Sequence, residues 1–155
     1  MTASPNIINK TEKILNKKSH DLKGALDEIC KLLKAEISYF DWVGFYFANH
    51  IKKELILKSY AGIKTDHVII PFGKGVCGQV EVLNKNFIVP NVDLKDNYIP
   101  CNINVKSEVV IPIFLNGNNI GQIDVDSNSI DPFTKKDIGL LEAICEQVSI
   151  KINNL

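Results

Sequence analysis

Apolar positions recur at two periods along this chain, and the change of period divides it into helices and strands. Leu22, Leu26, Ile29 and Leu33 return every three or four residues, with Lys23, Asp27 and Lys31 between them, which draws one apolar stripe along a helix. The stretch from about Ile7 to Lys17 reads as a shorter helix, a loosely docked arm (residues 1–17) on a core of residues 18–155. At the other end, Ile138, Leu141, Cys145, Val148 and Ile152 repeat the helical spacing. Thr134-Lys135-Lys136-Asp137 opens that helix as a capping box with Asp in the distal position.

Between these helices the period shortens. Asp41 to Phe47 and Glu54 to Tyr60 read as two strands joined by a hairpin across Ala48–Lys53. Trp42 and Tyr46, an even number apart, share a face of the first strand. Val68-Ile69-Ile70 is a short strand ended by Pro71. Val76 to Leu83 suits a short helix, and Phe87-Ile88-Val89 returns to strand. Val109–Leu115 and Ile120–Asp126 are β-forming and flank Asn116-Gly117-Asn118-Asn119, a hairpin turn signal. Pro90 to Asn104 has no apolar period, and a loop of that length inside a compact domain is often functional. Strands adjacent in sequence and joined by hairpins predict a largely antiparallel sheet with the terminal helices packed on one face, an α+β single domain.

The totals narrow the function. The 155 residues suffice for one real core. Net charge is zero without a long run of one sign, so nucleic acid and anionic membrane are not expected as main partners. No apolar stretch is long enough to span a bilayer. The polar N-terminus does not resemble a signal peptide, and the cytoplasm is the expected compartment. There the four cysteines are expected to be reduced, and a disulfide among them would be catalytic or redox-sensing. Cys30 and Cys145 lie on or beside helical apolar stripes and read as core residues.

Cys77 and Cys101 stand elsewhere. Cys77 lies in Phe72-Gly73-Lys74-Gly75-Val76-Cys77-Gly78 and Cys101 in the polar stretch Asp96-Asn97-Tyr98-Ile99-Pro100-Cys101-Asn102. The glycine pattern matches a dinucleotide-binding fingerprint, but that requires a parallel βαβ unit with an acid after the second strand. Here Pro90-Asn91 follows Phe87–Val89, so the glycines are read instead as allowing close backbone approach to a ligand. Neither cysteine begins a C-x-x-C pair, so a metal site is not expected. Cys77 alone is compatible with a small core residue. Cys101, among Asn97, Asn102 and Asn104, is placed for attack once nearby N–H groups or positive charge lower its pKa.

Three acids complete the candidate site. Asp124 and Asp126 alternate with Ile123 and Val125 and point to one face of their strand. If the turn holds three residues, Glu108 lies opposite Asp126 on that face; a two- or four-residue turn would send it to the other. On an enclosed face, burial and like charges would leave at least one acid protonated near neutrality. A protonated carboxyl beside a thiolate suits reduction of an S=O bond.

Four segments in this order and spacing resemble a known family. They are Trp42-Val43-Gly44-Phe45-Tyr46, Ile70-Pro71-Phe72-Gly73-Lys74-Gly75-Val76-Cys77-Gly78, Ser107-Glu108-Val109-Val110-Ile111-Pro112 and Gly121-Gln122-Ile123-Asp124-Val125-Asp126-Ser127. The chain resembles a stand-alone GAF domain of the free methionine-(R)-sulfoxide reductase family. The resemblance implies a GAF fold with the ligand pocket on the sheet face opposite the terminal helices. It implies Cys101 as the thiol that attacks the sulfoxide and becomes a sulfenic acid, and Cys77 as the resolving thiol. Thioredoxin would reduce the Cys77–Cys101 disulfide. Glu108, Asp124 and Asp126 would hold the sulfoxide oxygen and the substrate ammonium, Trp42 would wall the S-methyl group, and Tyr46 would line the pocket. The family also implies a homodimer and no metal or organic cofactor. One departure is His67, which occupies the position of a third family cysteine. With it, either Cys77 resolves alone, or turnover is slow, or the protein has become a binder. Two other readings of the chain stand beside the enzyme: a GAF small-molecule sensor without catalysis, and a Cys77/Cys101 redox switch without substrate.

Overall fold

The structure, a computed structural model, describes residues 4–94 and 104–155. In chain order the elements are α1 (Ser4–Leu15), α2 (Leu22–Glu36), β1 (Trp42–Asn49), β2 (Glu54–Ala61), β3 (Ile69–Pro71), α3 (Gly75–Leu83), β4 (Phe87–Val89), a 3-10 turn at Val92–Leu94, β5 (Ser107–Leu115), β6 (Asn118–Ser127) and α4 (Lys135–Asn153). The strands form one sheet in the order β3-β2-β1-β6-β5-β4, and every neighbouring pair is antiparallel. The parallel unit that a dinucleotide site requires is therefore absent from this sheet.

The alternation of the strands separates two cores. Val43 and Phe45 on β1, Val109, Ile111 and Ile113 on β5, and Ile123 and Val125 on β6 face α1, α2 and α4. Trp42, Tyr46, Leu55, Ile70 and Val110 face the other way, toward Val76, Cys77 and Val80 of α3. The long helices thus close one face and one short helix covers the other. α1 does not stand off as an arm: Ile7, Thr11 and Leu15 are buried in the helix-side core. The caps explain where α2 and α4 begin. Asp21 accepts from Gly24 N at the start of α2, and Thr134 and Asp137 form the expected reciprocal capping box of α4. No helix among the described residues is long and apolar enough to cross a membrane.

The β5–β6 hairpin corrects the expected turn. Leu115 pairs with Asn118, so the turn holds two residues, Asn116 at φ 51° and Gly117 at φ 81°. Asn-Gly tolerates left-handed backbone at both positions, and that twist matches the strands. Such a turn alone would pair Glu108 with Val125. Ile120 is an extra residue on β6, since Phe114 pairs with Asn119 but Ile113 pairs with Gly121. This bulge restores the register, and Glu108 pairs with Asp126 after all.

Candidate active site

The pocket face is built from three neighbouring strands and one helix. Trp42 on β1 pairs with Asp126, and Gly44 with Asp124; Glu108 on β5 pairs with Asp126 and Val110 with Asp124. Trp42, Tyr46, Asp124, Asp126 and Glu108 therefore share one face of the sheet. The glycine turn places α3 over them. Gly75, at φ 62°, takes a left-handed backbone that a β-carbon would disfavour, and Cys77 follows in the first helical turn. Its carbonyl accepts from Gln122 Nε2 at 3.0 Å, so β6 anchors the turn that carries the thiol.

Cys77, Glu108 and Asp124 form a buried cluster. Cys77 Sγ lies 3.8 Å from Glu108 Oε2, and one ligand atom from each of the three side chains lies within 4.8 Å of the others. Glu108 and Asp124 are 4% and 1% exposed, and Asp126 is fully buried. Burial pushes the Glu108 carboxyl well above the usual carboxylate range, and the charges of Asp124 and Asp126 add to it. Asp124 is also raised by burial, although hydrogen bonds from Glu108 and Cys77 partly oppose the shift. Two charges about 4 Å apart repel by roughly 4 kcal/mol at an effective dielectric of about 20. The cluster relieves that repulsion by keeping a proton. It therefore offers an acid and a thiol side by side.

The aromatic walls also fix a loop. Trp42 Nε1 donates to Ile63 O at 3.1 Å, and Tyr46 Oη donates to His67 O at 2.7 Å. The two rings thus tie down both ends of residues 63–67. Trp42 stacks on Tyr60 with centroids 5.5 Å apart and lies across Gly44, where a β-carbon would come within 2.4 Å of the indole. A small cavity of about 10 Å³ remains among Tyr46, His67, Ile70, Cys77, Glu108 and Asp124. A second, more open pocket of about 480 Å³, called the chamber below, is lined by Trp42, Gly62, Ile63, Val105 and Asp126, among others.

Of the residues expected in the site, Cys77, Glu108, Asp124, Asp126, Trp42 and Tyr46 come together on this face. Cys101 lies outside the described residues; the described chain stops at Leu94 and resumes at Asn104, next to Val105 of the chamber wall. Cys30 and Cys145 are buried in the helix-side core, where burial pushes both thiols far up. Gln122 was not anticipated. Its only signal was its place two residues before Asp124, in step with Asp124 and Asp126.

The antiparallel six-stranded sheet carries α1, α2 and α4 on one face and α3 on the other, and the GAF domain model matches residues 21–152. GAF domain-containing protein A of Dictyostelium discoideum is 33% identical over 132 residues, 85% of this chain and 81% of that one. Among solved structures, free methionine-R-sulfoxide reductase from Neisseria meningitidis in complex with its substrate superposes with a TM-score of 0.90 at 29% identity, over 97% of this chain and 88% of that one. The reduced form of Staphylococcus aureus fRMsr gives 0.88 at 31% identity, over 98% and 96%. The other curated relatives are matched over 60% to 66% of their own length. The chain belongs to the GAF domain family and, within it, to the free methionine-R-sulfoxide reductases.

Proposed function

We propose that this protein reduces the (R)-sulfoxide of free L-methionine to methionine, with thiols as the electron source. The observation that carries the proposal is the buried Cys77–Glu108–Asp124 cluster, which sets a carboxyl that keeps its proton beside a thiol. In the first step the Cys101 thiolate attacks the sulfoxide sulfur. Attack forms an S–S bond while a carboxyl of Glu108 or Asp124 protonates the sulfoxide oxygen; that oxygen passes to the Cys101 sulfur as the substrate S–O bond and the new S–S bond break, so methionine leaves and Cys101 is left as a sulfenic acid. In the second step the Cys77 thiol attacks the Cys101 sulfur, water departs, and a Cys77–Cys101 disulfide forms. A dithiol reductant, thioredoxin in the cytoplasm, returns both thiols. Asp126 takes the substrate ammonium at the chamber, Trp42 and Tyr46 enclose the methyl end, and the protein acts as a homodimer.

His67 replaces a third thiol, so resolution falls to Cys77. Cys30 and Cys145 are on the wrong face of the sheet to substitute for it. A thioredoxin-coupled assay tests the proposal. Turnover confined to the (R) epimer is expected, abolished in Cys101→Ser and reduced to one turnover in Cys77→Ser. No turnover on either epimer, with thioredoxin or dithiothreitol, would replace this reading by that of a sensor.

A further inference from the structure

We propose that Cys77, Glu108 and Asp124 also form an inhibitory site for a thiophilic divalent cation, with Zn²⁺ as the probe that defines the class. The donor set is one sulfur and two carboxylate oxygens, which suits a borderline-soft ion and not Mg²⁺ or Ca²⁺. Three observations support the site. The ligand atoms lie within 4.8 Å of one another, with Cys77 Sγ 3.8 Å from Glu108 Oε2, so side-chain shifts of at most about 1.5 Å bring them to the roughly 3.3–3.8 Å separations that bonds of about 2.0–2.3 Å impose on a tetrahedron. Asp124 is 1% exposed, and its Oδ1 has no hydrogen-bond partner among the described residues. The cavity on which all three side chains open measures about 10 Å³, room for a water-sized body.

The scaffold also favours such a site. Glu108 and Asp124 stand on adjacent strands, and Gln122 fixes the turn that bears Cys77. The ion would displace the protons of the thiol and the carboxyls and offset their mutual repulsion. Three protein ligands leave a fourth position facing the cavity, whose wall includes His67. The site is inhibitory because the bound ion occupies the thiol and the proton donor that the proposed reduction uses. The inhibitory role rests on that reading, whereas the cation site itself is tested independently of turnover.

The test is anaerobic titration of the fully reduced, chelator-stripped protein with Co²⁺, followed by displacement with Zn²⁺. One equivalent is expected to produce a thiolate-to-cobalt charge-transfer band. Cys101→Ser is expected to keep the band, Cys77→Ser to lose it, and the isosteric Asp124→Asn to weaken Co²⁺ binding at least tenfold, with circular dichroism confirming that each variant is folded. No band in the wild type, a band that survives in Cys77→Ser, or a band lost in Cys101→Ser would overturn the assignment.

Discussion

The two faces of one sheet differ more than any two domains of a larger protein need to. On the helix side, Val43, Phe45, Val109, Ile111, Ile123 and Val125 are fully buried or nearly so. The two cysteines there are small apolar residues with thiols held protonated. On the pocket side, the same three strands bury Glu108, Asp124 and Asp126. Apolar area removed from water stabilises at about 25 cal/mol per Å², whereas buried carboxylates cost free energy unless they are protonated or paired. Alternation along a strand lets one face hold the fold together while the other tolerates unfavourable chemistry. Function and stability should therefore respond separately to substitutions one residue apart.

The largest expected effect is on the pocket face. Asp124→Asn and Glu108→Gln keep shape but remove acids, and kcat/KM for free methionine (R)-sulfoxide is expected to fall about 100-fold, roughly 3 kcal/mol of transition-state stabilisation. The thermal midpoint is expected to hold or rise, because the like-charge repulsion is relieved. The converse applies one residue away. Ile123→Ala removes a fully buried side chain from the helix-side core and is expected to cost about 3 kcal/mol of unfolding free energy. Below the midpoint, turnover per folded molecule is expected to stay within about twofold. Urea unfolding combined with the coupled assay separates the two; equal losses of activity and stability in both variants would erase the distinction.

Glu81 sharpens the comparison through pH. It lies one helical turn beyond Cys77, is 6% exposed, and its carboxylate oxygens have no hydrogen-bond partner among the described residues. Burial raises its pKa from 4.5 to about 7. The unfolded chain thus releases this proton first. The contribution is fully present below the unfolded value and is lost as pH rises through about 7. Glu81→Gln is expected to remove that loss, leaving the variant roughly 2 kcal/mol more stable than wild type near pH 8 and little changed near pH 4. Urea midpoints at the two pH values check it.

The smallest expected effect concerns the bulge. Deleting Ile120 removes the extra residue but leaves Glu108 opposite Asp126, so activity is expected to persist with a stability loss of about 1 kcal/mol. Loss of turnover in a folded deletion variant would show that the bulge shapes the site.

The outcome at that hairpin shows what a sequence can reveal. Alternating Asp124 and Asp126 disclosed their shared face because period two is a local property. The pairing of Glu108 with Asp126 was anticipated from a three-residue turn, yet it arises from a two-residue turn plus a bulge. Bulges leave little trace in local pattern, and two register shifts can cancel. The capping box at Thr134 and the stripes of α2 and α4 were legible for the same local reason. The docking of α1 was not, because Ile7, Thr11 and Leu15 are apolar or small at positions whose burial depends on other helices. Gln122 and Glu81 escaped notice because their roles depend on how α3 crosses the sheet, a non-local relation that neither neighbourhood displays.

The most direct measurement is a single turnover. Reduced protein, mixed with excess free methionine (R)-sulfoxide and no recycling reductant, would be quenched, alkylated and mapped by mass spectrometry alongside quantitation of methionine. The reductase reading predicts one equivalent of methionine, a Cys77–Cys101 disulfide, and Cys30 and Cys145 still alkylated as thiols. No methionine, with Cys77 and Cys101 both recovered as thiols, would contradict it.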